Sequence, residues 1–470
     1  MLRRSSAAVI VAIVMGLGFV PAAAGVATAT AAVSSAVAHV NLEAVYLGPT
    51  LGTAGTPGSC GALQCYTPQE VQDGYDYGPA YAAVGGYANA GRGQTIVIFD
   101  AFGDSAVAEN LAVFDTTFGL PPAHLNVLCP QGCPILNYTG PNGSDELSWG
   151  EEITLDTQYS HAMAPAATID LVISTNDSFE SLYHAEQYAF AHHLGDIWSQ
   201  SWGGPECSFV PTPPPTFQAA NRLYQEATAQ GITIFASAGD SGSQEGCAAP
   251  SALYPSSNPY NIAVTGTYLD LHFAPGANVS SPLVSAPATY GHETTWNDFE
   301  NATLAENGLI FGVTGGAPST YFPAPFYQLV HTITPYTCTG PTPSNCSAGR
   351  PYHSFGRVSA DVAYDAGVDG GVLAWMNFTS LIPAGYYIFG GTSAGSPQWS
   401  AITAIADQLH HAELGDFAPF LYALVGSPAL HDVTAGSNAV EPGYGFLATP
   451  GWDAASGVGS PNVGWLVWEL

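Results

Sequence analysis

Between Thr95 and Thr265 short runs of β-branched and aromatic residues recur, separated by longer amphipathic stretches, and this alternation limits the fold more than any other feature. Thr95-Ile-Val-Ile-Phe-Asp100 reads as a buried strand, followed by an amphipathic stretch through Phe118. Thr168–Ser174 is a second strand and Phe179–Leu194 a helix. Asp196–Ser201 and Ile232–Ser237 are strands on either side of a helix around Phe217–Gln230, and Asn261–Thr265 is a further short strand. Such a series predicts an α/β fold, doubly wound, with a mostly parallel sheet covered by helices on both faces. Chemistry in such a sheet gathers beyond the carboxyl ends of its strands. Residues 270–355, richer in Pro, Thr and Asn, read as surface excursions, and no repeat is visible.

Charge narrows the partners. Only 9% of the 470 residues are charged, against roughly 25% in an ordinary soluble domain. Six Arg and no Lys face 37 carboxyl side chains, giving a formal charge of -31 at pH 7. Nucleic-acid binding through phosphate neutralisation is excluded, and docking on anionic lipid is disfavoured. Near pH 3 most of these carboxyls are protonated and the self-repulsion vanishes, so the composition suits an acidic milieu.

Arg3 and Arg4 precede an apolar run, Ala7 to Val20, and the small residues Ala22, Ala23 and Ala24, the pattern of an export signal. Residues 1–38 are therefore expected to be a signal and small-residue spacer, 39–65 a lead-in without periodicity, and 66–470 a single domain. No later run is long enough to span a membrane. The eight cysteines suit an oxidising compartment. Local spacing suggests Cys60–Cys65, Cys129–Cys133 and Cys338–Cys346, leaving Cys207 for Cys247; with no CxxC or HExxH, disulfides are expected rather than zinc.

Three segments carry chemistry. In Gly390-Gly-Thr-Ser393-Ala-Gly-Ser-Pro397, a serine between small residues lies between the strand-like Tyr386–Phe389 and a helical run to His410. The positive end of that helix favours a developing oxyanion, and Pro397 suits its first turn. In Ser148-Trp-Gly-Glu151-Glu152-Ile-Thr-Leu-Asp156, Ser148 and Glu151 have capping-box spacing, so a helix is expected to begin there. Glu152 and Asp156 then lie about 40° apart on one face, a costly like-charge pair unless it shares a proton. In Ser237-Ala-Gly-Asp240-Ser-Gly, an aspartate follows a buried strand in a turn of small residues.

In this order the three motifs resemble the sedolisin family of serine-carboxyl peptidases, which have the subtilisin-like fold. The likeness runs from about Tyr66 to the C-terminus. It implies an acid-active endopeptidase in which Ser393 is the nucleophile, Glu152 its general base, Asp156 the partner sharing the proton of Glu152, and Asp240 the donor to the oxyanion. The resemblance is coherent with the acidic composition. A carboxyl donates a hydrogen bond only when protonated, and a carboxylate base works where histidine is already protonated. Ser201, Trp202 and Gly203 resemble the edge that pairs with substrate backbone, and Asp100 stands where some relatives carry an outer carboxylate. His431-Asp432-Val433 with Thr449-Pro-Gly451-Trp-Asp453 resembles the family's site for one calcium ion. Carboxylates of Asp432 and Asp453 and carbonyls of Val433, Thr449 and Gly451 are the implied ligands, with Thr449 where glycine is more usual. Relatives carry a long prosegment that inhibits and helps fold the enzyme; with only some 30 to 40 residues between signal and Tyr66, this chain is expected either to fold without such a segment or to be activated differently.

The implied partners are protein or peptide substrates, the implied setting is extracellular, and a monomer is expected. Two other readings compete. Gly391-Thr-Ser393-Ala-Gly395 also fits the nucleophile elbow of an α/β-hydrolase esterase, which would need a later acid and histidine such as Asp416 and His431. A silent binding protein on a peptidase scaffold is the third.

Overall fold

The computed structural model describes residues 36–40, 42–52, 59–209, 213–273, 286–301, 303–304, 312–340 and 343–470. The export-signal segment up to residue 35 lies outside them.

Eleven strands and five helices position the site. The strands are β1 (Glu43–Gly48), β2 (Thr95–Ala101), β3 (His124–Leu128), β4 (Thr168–Ser174), β5 (Ile197–Gln200), β6 (Thr233–Ser237), β7 (Ile262–Phe273), β8 (Ala288–Thr295), β9 (Val362–Asp365), β10 (Gly371–Met376) and β11 (Gly385–Gly390). The helices are α1 (Val107–Phe118), α2 (Gly143–Met163), α3 (Phe179–His192), α4 (Pro215–Ala229) and α5 (Gly395–His410). The main sheet runs β8-β7-β6-β5-β2-β4-β3, with β9 also on β7. All these pairings are parallel except β7 with β8. The fold is α/β with a mostly parallel sheet, as the alternation of strands and helices predicts.

Strand β2 shows why the sheet is sandwiched. Ile96 and Ile98 pack into one core with Phe114 of α1, Tyr159 of α2 and Ile402 of α5. Val97 and Phe99 point the other way, into a core with Leu182 of α3 and Phe217 of α4. Successive side chains alternate across a pleated strand, so an unbroken apolar run serves two helical layers. A smaller sheet, β1-β11-β10 followed by Cys65–Tyr66, abuts the first layer. The lead-in thus supplies a strand that its sequence did not announce.

Helix α2 starts at Gly143, five residues before the expected cap, and the Ser148 hydroxyl bonds the Ser144 carbonyl within the helix at 3.1 Å. Capping-box spacing equals one helical turn, so inside a helix it looks the same as at the start. An added Cβ on Gly143 would stand 2.1 Å from the Tyr138 carbonyl oxygen, so glycine fits this close approach. From Trp149 to Met163 nearly every side chain of α2 is buried. Its polar groups are matched from within: Thr154 bonds the Gly150 carbonyl, and Gln158 bonds both backbone groups of Trp375.

All four expected disulfides form: Cys60–Cys65, Cys129–Cys133, Cys207–Cys247 and Cys338–Cys346. Among the described residues no helix is long and apolar enough to cross a membrane.

Candidate active site

Strand β11 ends at Gly390, and the chain turns through Gly391 and a 3-10 segment, Thr392–Ala394, into α5. Gly391 has φ 110°, a conformation that side chains disfavour. A Cβ added there would lie 2.7 Å from Oδ2 of Asp240. The turn therefore holds Ser393 at the head of α5 with its backbone pressed against the Asp240 carboxyl.

Asp240 follows β6 and is buried. Its Oδ1 accepts bonds from the Thr392 N–H at 2.8 Å and the Thr392 hydroxyl at 2.6 Å. Burial pushes its carboxyl up to about 7; the Thr392 bonds oppose this, and the charge of Asp298 adds to it. Thr392 went unremarked in the sequence because its role exists only once residues 152 positions apart meet. A pocket of about 420 Å³ opens beside Asp240, lined in part by Ser241, Gln244, Phe299 and Val313.

Glu152 and Asp156 lie fully buried one turn apart on α2. Asp156 accepts a bond from the Ser201 hydroxyl at 2.8 Å. The Ser393 hydroxyl points at the Ser201 carbonyl, 3.4 Å away. Both oxygens of Asp100 and Oδ2 of Asp156 have no hydrogen-bond partner among the described residues. Burial foremost, then the charges of Asp156 and Asp100, hold the Glu152 carboxyl far above its ordinary range, and Ser393 pulls the other way. Asp156 is raised by burial and by Asp100, against the Ser201 bond. Asp100, at the end of β2, is pushed by burial up to about 8. The cluster therefore retains protons well above the usual carboxylate range.

The segment Ser201–Gly203 is used differently along its length. The Ser201 side chain turns inward to Asp156, and the Trp202 indole N–H bonds the Phe99 carbonyl at 2.8 Å. Both side chains are buried, so the expected contact with substrate is left to backbone. Gly203 presents a paired N–H and C=O, and both are bonded to His39 of the same chain, at 3.0 and 2.7 Å.

The proposed acid and histidine of an esterase are elsewhere. The Asp416 carboxylate bonds the Ala418 N–H, and His431 stacks on Tyr290 with centroids 3.6 Å apart. Among the described residues no hydrogen bond joins either to Ser393, whose hydroxyl faces the Ser201 carbonyl.

The C-terminal loops bring Asp432, Val433, Thr449, Gly451 and Asp453 together. Gly451 N–H bonds both Asp432 oxygens, at 3.1 and 3.0 Å, and Thr449 N–H bonds Asp453 Oδ2 at 2.8 Å. The Ser456 hydroxyl lies 3.3 Å from the Val433 carbonyl and 3.2 Å from Asp453. Carboxylate and carbonyl oxygens are the donors calcium takes; here the Asp432 and Asp453 carboxylates meet loop N–H groups, and the Val433 carbonyl lies against the Ser456 hydroxyl.

Comparison with known proteins places the chain by family and fold. The model of the subtilase family matches residues 143–417. The chain is 30% identical over 406 residues to kumamolisin from Bacillus sp. (strain MN-32), covering 85% of this chain and 62% of that protein. It is 28% identical over 419 residues to sedolisin from Pseudomonas sp. (strain 101), with 86% and 61% covered. Tripeptidyl-peptidase 1 of Bos taurus is 27% identical over 420 residues, with 86% and 64% covered. A solved structure of Pseudomonas sedolisin, a serine-carboxyl proteinase complexed with two molecules of pseudo-iodotyrostatin, superposes with a TM-score of 0.66 at 25% identity. It covers 87% of this chain and 98% of that one. The chain belongs to the subtilase family, in its sedolisin branch. It spans about three fifths of the length of the curated relatives it matches.

Proposed function

We propose that this protein is a secreted serine-carboxyl endopeptidase that cleaves protein or peptide chains in acid. The observation that carries the reading is the convergence, on one buried turn, of Ser393, the carboxyl cluster of Glu152, Asp156 and Asp100, and the raised carboxyl of Asp240.

In this mechanism the Ser393 hydroxyl attacks the scissile carbonyl and Glu152 takes its proton. Asp156 shares the proton of Glu152, and Ser201, bonded to Asp156, keeps that carboxyl turned toward it. The negative charge formed on the carbonyl oxygen is met by the neutral Asp240 carboxyl. Thr392 occupies Oδ1 of Asp240, which leaves Oδ2 to carry the donated proton. Glu152 then protonates the leaving amine, and water, deprotonated by the same carboxylate, releases the acyl group from Ser393.

The pH dependence follows from the two roles. Asp240 donates only while protonated, a state lost as pH rises through about 7. Glu152 accepts only while ionised, and because burial, Asp156 and Asp100 raise its carboxyl, that state is lost as pH falls through the raised range. Activity is therefore a bell whose upper limb lies near pH 7. The esterase alternative requires a neutral histidine and fades below about pH 5.

One calcium ion would be held by the carboxylates of Asp432 and Asp453 and the carbonyls of Val433, Thr449 and Gly451. It would supply positive charge that pins two loops together; the chemical steps belong to the chain. An extracellular, acidic setting and a monomeric state complete the reading, favoured by the four disulfides and the scarcity of basic residues.

The test is hydrolysis of casein from pH 2 to 7 by the parent protein, Ser393→Ala and Glu152→Gln. Loss of at least a thousandfold in both variants is expected. Cleavage by Ser393→Ala at the parent rate eliminates the mechanism.

A further inference from the structure

Asp298 is a fully buried carboxylate that the mechanism above does not use, yet it is wired to the oxyanion turn. Its Oδ1 accepts bonds from the Trp296 indole N–H at 2.8 Å and from the Tyr268 hydroxyl, and its Oδ2 accepts the Gly312 N–H at 2.8 Å. The Asp298 N–H returns a bond to the Gly312 carbonyl at 3.1 Å. The next residue, Val313, donates its N–H to the Asp240 carbonyl at 3.0 Å and accepts from the Gly242 N–H at 2.8 Å. Thr314 N–H then bonds back to the Trp296 carbonyl, and the Gly315 N–H reaches the Gly239 carbonyl at 2.6 Å. Residues 312–315 are thus laced to the Asp298 loop on one side and to the turn carrying Asp240 on the other. Gly312 leaves no room for a side chain between them: a Cβ there would lie 2.6 Å from the Trp296 ring and 2.9 Å from the Asp240 carbonyl oxygen.

The carboxyls that act on Asp240 differ in what holds them. Glu152, Glu245 and Glu43 all interact with its charge, and burial raises each of them, Glu43 to about 9. They keep their protons while Asp240 loses its own. Asp298 is the exception. Its three donors favour the charged form, because a bond donated to a carboxylate oxygen is stronger than one donated to a neutral carboxyl. At Asp240 itself the N–H and hydroxyl of Thr392 pull toward ionisation. Burial is the main force against that pull, and the Asp298 charge is the second. We propose that Asp298 is a positioning residue of the oxyanion site, holding the Asp240 turn through Gly312–Thr314 and supplying the buried negative charge that keeps Asp240 a hydrogen-bond donor. This rests on reading the site as a peptidase. No bond is made or broken at Asp298; its part is to set how far up in pH the donor survives.

The experiment compares casein hydrolysis from pH 2 to 8 by the parent, Asp298→Asn and Tyr268→Phe, each profile read against its own plateau. Asp298→Asn removes the charge, so Asp240 loses its proton sooner and the upper limb is expected to move to lower pH by roughly 0.5–1 unit. Tyr268→Phe removes one donor and leaves the charge, so its limb is expected to stay with the parent's. With Asp240→Asn already present, adding Asp298→Asn is expected to move no limb, because the donor no longer titrates. A merely structural role would lower the plateaus and leave the limbs in place. A limb within about 0.3 unit of the parent's in folded Asp298→Asn overturns the proposal, and so does an equal displacement in Tyr268→Phe. Carbon-13 NMR of labelled aspartate in the Ser393→Ala protein gives a second reading that needs no change at Asp298. Its carboxyl is expected to ionise at lower pH than that of Asp240, and the reverse order overturns the proposal. Failure of the peptidase reading looks different: the Ser393 protein cuts nothing at any pH, and the NMR order alone then decides whether Asp298 holds the proton on Asp240.

Discussion

Replacing Asp100 by asparagine tests the buried carboxyl cluster through stability alone. Asp100 is fully buried, its oxygens find no partner among the described residues, and its carboxyl is pushed from 3.8 to about 8. Below 3.8 the group is protonated in both the folded and unfolded chain and adds no pH dependence. Between 3.8 and about 8 the folded chain keeps a proton that the unfolded chain has released. Stability then falls by about 1.4 kcal/mol for each pH unit. From pH 3.5 to pH 7 that loss is on the order of 4 kcal/mol for this one group. Asparagine has nearly the same shape and no proton to lose, and its own burial cost is the same at both pH values. Asp100 also raises Glu152 and Asp156, so its removal relieves them in the same direction. Asp100→Asn should therefore gain about 2–4 kcal/mol on the parent in going from pH 3.5 to pH 7. Urea denaturation in the Ser393→Ala background, which prevents self-digestion, measures it. A change within about 0.5 kcal/mol between the two pH values would refute the reasoning.

Asp240→Asn supplies a donor that does not titrate; kcat should fall on the order of a hundredfold in acid, and the alkaline limb near pH 7 should disappear from the rate profile. Gly391→Ala places a methyl 2.7 Å from Asp240 Oδ2 on a backbone with φ 110°, and should cost at least tenfold in kcat/KM together with about 1–3 kcal/mol of stability, read by peptide hydrolysis and thermal melting. Chelation by EGTA should lower the melting temperature of the parent protein and leave that of Asp453→Ala, already lower, unmoved; an unchanged parent would remove calcium from the account. Joint replacement of Cys207 and Cys247 by serine opens a loop of sequence separation 40 and should cost about 2–4 kcal/mol by urea denaturation.

What the sequence determined by itself was local. Unbroken apolar runs such as Ile96–Phe99 announce strands buried on both faces, and the glycines and small residues around Ser393 announce a tight turn ahead of a helix. The four-residue spacing of Glu152 and Asp156 puts them on one helical face whatever surrounds that helix. The start of α2 was misread because Ser148 and Glu151 are one turn apart inside a helix as well as at its cap.

Tertiary structure alone decided which groups meet. Only the packing of α2 against α5 sets the carboxyl pair facing Ser393, and only the approach of β6 to the Gly391 turn gives Asp240 its Thr392 partner. The lead-in, with no periodicity of its own, becomes a strand because β11 offers an unpaired edge; backbone pairing asks for extended chain and little else. Burial is likewise a property of the assembled layers, and it lifts these carboxyls so far because a low-dielectric interior disfavours their charged form.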